Sequence, residues 1–178
     1  PNPEEASAFE YSLKLGKEVG ADILIATDPD ADRMGIAALN NEGEYVLLTG
    51  NQTGAILLNY LALNVPHDKN ACVYNTIVTS NIAKDICEKH NLTLVQTLTG
   101  FKFIGEQAKL IENTEKSFFF GYEESYGSVI KPFVRDKDSF QATLLLAEVA
   151  SYYKELGKTL VNVLDEIYEE YGYYLEGV

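Results

Sequence analysis

The feature that constrains this chain most is the alternation of short apolar runs with longer segments of helical periodicity. "DILIAT" at 22–27, "MGIAAL" at 34–39, "YVLLTG" at 45–50, "ACVYNTIV" at 71–78, "TLVQTL" at 93–98 and "KSFFFGYE" at 116–123 read as buried strands. Near the N-terminus, Ala6, Phe9, Leu13 and Gly16 recur at spacings of three and four. That helix is expected to start with Asn2 as N-cap and Pro3 at the first helical position, and to end near Gly20. A second helix runs from about Asn51 to Val65, stopped by Pro66. A third, capped by Ser80, presents Ile82, Ala83, Ile86 and Cys87 on one face. "FKFIGEQAKLIEN" at 101–113 is a fourth. Asp138, with Gln141 three residues on, makes a capping box before "SFQATLLLAEVASYYKEL", and a last helix spans about Thr159 to Tyr171. Strands separated by helices of about ten or more residues pair mainly in parallel, with helices on both faces of the sheet. The expected fold is therefore α/β, a three-layer α/β/α arrangement around a mainly parallel (mixed) sheet.

A chain of 178 residues holds one ordinary domain, or one and a part. The first helix–strand–strand block is too short to be a domain, so residues 1–42 are expected to end one α/β domain and residues 43–171 to form a complete second one. No linker is Gly/Ser-rich and no internal repeat is visible. The tail "YGYYLEGV" shows no clear pattern. Apolar residues at 46% support a real core, and the charged fraction of 23% is too low for a disordered acidic tail. The net charge of -13 repels nucleic acid phosphates and anionic lipid, so neither is an expected partner. "AILLNYLALNV" is broken by Asn and falls well short of the roughly 18 apolar residues a membrane span needs. No basic-then-apolar leader opens "PNPEEAS", and the missing initiator Met is expected of a piece cut from something longer. Cys72 and Cys87 lack metal-ligand spacing and read as reduced core residues, so the expected location is the cytoplasm.

The chemistry concentrates in "IATDPDADRMGIAA" at 25–38. Asp28, Asp30 and Asp32 alternate at the C-terminal end of a buried strand, where α/β proteins place ligands. Left unpaired they repel one another, and each pKa rises. A hard divalent cation relieves that repulsion, and an oxygen-only donor set suits Mg²⁺. The bland alternative is a solvated acidic turn helped by Arg33. An EF-hand loop starting at Asp28 would need Gly at its sixth position and Glu at its twelfth, where Arg33 and Leu39 stand. A phosphatase of the haloacid dehalogenase type also has Asp-x-Asp after an apolar strand, with the first Asp as nucleophile. Its pattern continues with a small hydroxyl residue and an apolar one. This chain continues with Ala31, Asp32 and Arg33, and the third aspartate favours a cage over a nucleophile.

Three further stretches carry weaker signals. "TLTGFKF" at 97–103 opens a helix after a glycine turn, so its backbone N–H groups and Lys102 suit an anion. "FGYEESYG" at 120–127 sets Glu123, Glu124 and Ser125 between glycines, a composition suited to sugar hydroxyls. "VRDKDS" at 134–139 offers Arg135 and Lys137 to a phosphate. Taken singly, each is also ordinary loop chemistry. His67 reads as a loop residue and His90 as a helix-closing one. Tyr168, Tyr171, Tyr173 and Tyr174 read as packing residues.

Together and in this order, these stretches resemble the α-D-phosphohexomutases, the phosphoglucomutase/phosphomannomutase family. The aspartate cluster is similar to that family's D-x-D-x-D-R metal loop, and "GYEESYG" to its Gly-x-Glu-x-Ser sugar loop; "TLTGFKF" and "RDKD" match segments of its third domain. The family's enzymes have four domains. The resemblance implies that residues 1–42 are the C-terminal part of domain II with the metal loop, 43–171 domain III with the sugar loop, and 172–178 the start of a link to domain IV. It implies that Asp28, Asp30 and Asp32 hold Mg²⁺ and that Arg33 lies by the phosphoserine as a catalytic residue. It also implies that Glu123 and Ser125 bind the sugar, with Thr99, Gly100, Lys102 and Lys137 on the substrate side. The expected partners are a phosphorylated sugar and the remaining domains of the parent chain. The implied reaction interconverts hexose 1-phosphate and hexose 6-phosphate through a phosphoserine and a bisphosphate. Two family segments are absent: the Ser-His-Asn-Pro-like loop with the nucleophilic serine, and the phosphate-clamping RxSGT loop. Gly127 stands where some members carry a histidine, so an acid/base role lapses there. The alternatives are a Mg-dependent aspartyl-phosphate phosphatase and a non-catalytic sugar-binding module.

Overall fold

The computed structural model describes residues 2–175. A 3-10 turn at Ala6–Phe9 runs into α1 (Glu10–Val19), which Gly20 closes in the left-handed conformation at φ 67°. The helix does not start at Pro3 as expected. Asn2 Oδ1 accepts the Glu4 N–H at 3.2 Å, as an N-cap does, but only a turn follows, and Pro3 is buried against the first sheet. A Cβ on Gly35 would lie 2.2 Å from the Pro3 carbonyl oxygen, so close packing of this segment on the sheet takes precedence over a continuous helix from Pro3.

The first sheet is antiparallel, in the order β1 (Ile23–Thr27), β2 (Met34–Leu39), β3 (Tyr45–Leu48). The expected break near residue 42 therefore falls between two hydrogen-bonded strands. The second sheet has the order β5-β4-β6-β7, from β4 (Ala71–Thr76), β5 (Thr93–Thr97), β6 (Ser117–Tyr122) and β7 (Ser128–Val129). There β4 pairs in parallel with β5 and β6, and β7 is antiparallel to β6. The helices are α2 (Gly50–Asn64), α3 (Ile82–Lys89), α4 (Phe101–Leu110), α5 (Ser139–Glu155) and α6 (Leu160–Tyr171).

Side-chain alternation along β4 builds the layers. Ala71 and Val73 enter a core shared with α2, α3, α5 and α6, whereas Cys72 and Tyr74 meet Phe101 and Ile104 of α4 on the other face. This is the expected three-layer α/β/α arrangement. Met34, Ile36 and Ala38 of β2 enter the same shared core, while Leu24 and Ala37 turn to Phe9 on the outer face of the first sheet. One apolar core thus joins both sheets. Ile36, Leu58 and Ile86 are fully buried in it, each contributing roughly 1.5–3 kcal/mol.

Local details depart from the sequence reading. β4 stops at Thr76 because the Thr79 N–H turns back to the Thr76 carbonyl at 3.0 Å, leaving Ile77 and Val78 exposed. Asp138 caps α5, accepting the amides of Phe140 at 2.9 Å and Gln141 at 3.3 Å. The reciprocal half of the capping box is missing: the Asp138 N–H donates to the Ser128 carbonyl, and the Gln141 amide oxygen accepts from Ile130 and Lys131. Both cysteines are buried and unpaired. Among the described residues no helix is long and apolar enough to cross a membrane. The tail expected to begin a link, 172–178, lies partly outside the described residues.

Candidate active site

The β1–β2 hairpin ends in the loop 28–33. Asp28 is buried and ties this loop together. Its Oδ1 accepts the amides of Asp32 at 3.1 Å and Arg33 at 3.0 Å, and its Oδ2 accepts Arg33 Nε at 2.7 Å. Ala31 sits at φ 56°, a left-handed conformation that costs a non-glycine residue roughly 1–2 kcal/mol. Its amide donates to the Asp28 carbonyl at 3.0 Å, and its own carbonyl accepts from Ser139 twice, from Oγ at 2.6 Å and from N at 3.2 Å. The loop so held brings one carboxylate oxygen each from Asp28, Asp30 and Asp32 to within 4.8 Å of one another.

Two cations stand beside this trio. Arg33 also donates from Nη1 to Glu4 Oε1 at 3.1 Å, and Lys137 Nζ lies 2.9 Å from Asp32 Oδ2. Burial opposes ionisation of Asp28, but hydrogen bonds from Arg33 and Asp32 outweigh it and hold the carboxyl at about 2. Burial, assisted by the Asp28 charge, raises the Asp32 pKa despite its bond to Lys137. Three carboxylates thus face two cations, one of which also pairs with Glu4, so neutralisation within the loop is incomplete. Among the described residues nothing donates a hydrogen bond to the exposed Asp30 carboxylate. An oxygen-only, converging and under-neutralised set fits a hard divalent cation.

The loop 123–127 packs directly against this one. Met34 N–H donates to the Tyr126 carbonyl at 3.0 Å, and Arg33 forms an antiparallel bridge with Gly127. Glu123 is buried, which raises its pKa, with Lys137 acting in the opposite sense. A Cβ on Gly127 would lie 2.6 Å from Lys137 Cδ and 2.8 Å from Glu123 Oε1, so the bare glycine gives the lysine its route to Asp32. Ser125 is half-buried, and its hydroxyl acts on the Glu123 pKa in the same sense as Lys137.

The structure thus brings together Asp28, Asp30, Asp32, Arg33, Glu123, Ser125 and Lys137. Gly100 ends the β5–α4 turn at φ 118°, where glycine is at ease. Phe101 after it is buried, and its ring centroid is 5.8 Å from Lys137 Nζ. Thr99 and Lys102 are exposed; Lys102 Nζ lies over the Phe103 ring, 4.9 Å from its centroid. Among the described residues neither makes a hydrogen bond or ion pair with the acids. Arg135 is exposed and pairs with Glu112, so Lys137 is the cation of "VRDKDS" that joins the cluster. Sequence reasoning missed Glu4, Ser139 and Tyr126. All three act through contacts between distant segments, for which the local pattern holds no signal.

Residues 49–171 match the family described as phosphoglucomutase/phosphomannomutase, alpha/beta/alpha domain III, and residues 1–41 match domain II of the same family. The chain belongs to this family. It is similar to a phosphoglucomutase of Staphylococcus epidermidis, 41% identical over 171 residues. That match covers 96% of this chain and 31% of the relative, so the chain spans about a third of the length of such relatives. A putative phosphomannomutase from Thermus thermophilus superposes with a TM-score of 0.76 at 23% identity, over 95% of this chain and 36% of the other. An Aspergillus fumigatus N-acetylphosphoglucosamine mutase, solved with GlcNAc-6P and magnesium, superposes with a TM-score of 0.55 at 16% identity, over 75% and 33%. These two likenesses concern the fold. The phosphatase alternative is not favoured, because the family matches over residues 1–41 and 49–171 and the phosphoglucomutase relative account for the aspartate loop together with the rest of the chain.

Proposed function

We propose that this chain is the metal- and sugar-binding portion of a phosphohexomutase that interconverts hexose 1-phosphate and hexose 6-phosphate, with glucose, mannose or both as the sugar. The observation that carries the reading is the stitching of two loops far apart in sequence. The Met34–Tyr126 hydrogen bond and the Arg33–Gly127 bridge set the aspartate trio beside Glu123 and Ser125. In this reading residues 1–42 end domain II, 43–171 form domain III and 172–178 begin a link to domain IV. The protein is cytoplasmic and has neither nucleic acid nor membrane as partner.

Asp28, Asp30 and Asp32 would hold Mg²⁺, whose charge offsets the negative charge that develops on transferred phosphoryl oxygens. The presence of magnesium and a sugar phosphate with the Aspergillus mutase supports this. Arg33, fixed by Asp28 and Glu4, presents its guanidinium beside the same phosphoryl group. Glu123 accepts hydrogen bonds from sugar hydroxyls and Ser125 can donate or accept, so the pair serves a sugar bound either way round. Lys137 neutralises the acids on the substrate side, which Thr99, Gly100 and Lys102 also line. A phosphoserine passes its phosphoryl group to the free hydroxyl of the hexose monophosphate, giving the bisphosphate, and the other phosphate then returns to the serine. That serine lies outside these 178 residues, which contain no Ser-His-Asn-Pro-like loop.

The chain alone is therefore expected to be inactive, and a full-length protein carrying it to convert glucose 1-phosphate in a Mg²⁺-dependent coupled assay. Turnover by the isolated chain at an ordinary enzymatic rate contradicts the reading, as does an inactive full-length protein. A non-catalytic sugar module would instead keep its sugar affinity when the three aspartates become asparagine.

A further inference from the structure

Glu124 stands between the two residues assigned to the sugar, yet its carboxylate reaches the end of β4. Its Oε2 lies 2.9 Å from Thr76 Oγ1 and 3.0 Å from Thr79 Oγ1, and the two hydroxyl oxygens are 2.9 Å apart. Thr76 and Thr79 are buried, and Thr79 Oγ1 also receives the Thr76 N–H at 3.2 Å. The backbone is gripped as well. A Cβ on Gly50, the first residue of α2, would lie 2.0 Å from the Glu124 carbonyl oxygen and 2.8 Å from the Tyr126 nitrogen. Loop 123–127 is thus clamped to the second sheet at Glu124 and to the first at Tyr126 and Gly127.

We infer that Glu124, through Thr76 and Thr79, is a positioning residue that sets the aim of Glu123 and Ser125 and thereby the affinity for the sugar phosphate. This rests on the reading of 123–127 as the sugar loop. Glu123 and Ser125 flank the clamp directly, so its release displaces both. The aspartate loop meets 123–127 at Arg33 and Met34, but its own anchors in Asp28 and Ser139 hold the three carboxylates when the Glu124 clamp is released.

The test compares E124A, T76V/T79V and T76S/T79S in the full-length protein. E124A and T76V/T79V are expected to raise KM for glucose 1-phosphate about 10-fold or more, the scale of one lost charge-assisted hydrogen bond. Mg²⁺ affinity should stay within about 2-fold, because only one clamp is lost. T76S/T79S, which keeps both hydroxyls, should restore KM. An unchanged KM in E124A overturns the inference, and so does an equal loss of Mg²⁺ affinity. If E124A does not fold, T79V alone carries the same expectation with the carboxylate kept. Hydrogen exchange at the amides of 123–127 needs no substrate and should quicken in the variants while that of 28–33 does not. Unchanged protection at 123–127 overturns the inference even in a protein that turns over no hexose phosphate, the outcome that would sink the functional reading instead.

Discussion

Replacing Asp28 by asparagine tests the electrostatic centre of the site. The carboxyl pKa falls from 3.8 to about 2 on folding, and each tenfold change in acidity is worth about 1.4 kcal/mol, giving about 2 kcal/mol of stability. The side chain is 3% exposed, so solvent screening takes little from this figure. Because the folded value is depressed, the stabilisation is complete above the unfolded value of 3.8 and is lost as pH falls toward about 2. D28N keeps the shape and one acceptor, but its amide nitrogen faces Arg33 Nε, donor against donor. At pH 7 the variant should melt about 4–8 °C below the parent, from roughly 2–4 °C per kcal/mol in a chain of this size. Calorimetric scans without divalent cations, from pH 7 down to pH ~2.5, read the difference. It should shrink steadily below pH ~4. A penalty equally large at both ends of the range, or none at pH 7, refutes the charge argument and points to packing alone.

Other perturbations probe the supports. S139A removes the 2.6 Å bond to the Ala31 carbonyl but leaves the amide bond at 3.2 Å, so a loss of about 0.5–1.5 kcal/mol in urea unfolding is expected; unchanged stability tells against Ser139 as an anchor. G50A drives a Cβ to 2.0 Å from the Glu124 carbonyl oxygen, and a backbone obstacle of this kind should cost about 1–3 kcal/mol; a neutral result means that the loop moves freely. K137M removes the cation that lowers the Asp32 pKa, so carboxyl NMR should show Asp32 titrating at higher pH than in the parent, and an unmoved titration contradicts the ion pair.

Much of the fold was legible because strand and helix periods are local. "MGIAAL" is β2 residue for residue, and the Asp138 cap marks the start of α5. What stayed hidden were choices made between distant segments. β3 joins the first sheet because Leu48 and Val46 pair with Ile36 and Ala38, and nothing within "YVLLTG" names that partner. β7 has two residues, too few to show a period. Pro3 carries a helix-start signal, and burial against Gly35 overrides it. At the site, the alternating aspartates announced themselves by the cost of crowding charge. Ser139 and the threonine pair did not, since a hydroxyl holding a carbonyl or carboxylate from another segment leaves no trace in its own neighbourhood.

The most direct measurement is a calorimetric titration of Mg²⁺ into the full-length protein and into its D28N/D30N/D32N variant, with circular dichroism confirming that both are folded. The expected result is one saturable site in the parent and no binding heat in the variant. A parent that takes up no Mg²⁺, or a variant that binds it as tightly, contradicts the claim that these three carboxylates form a cation seat.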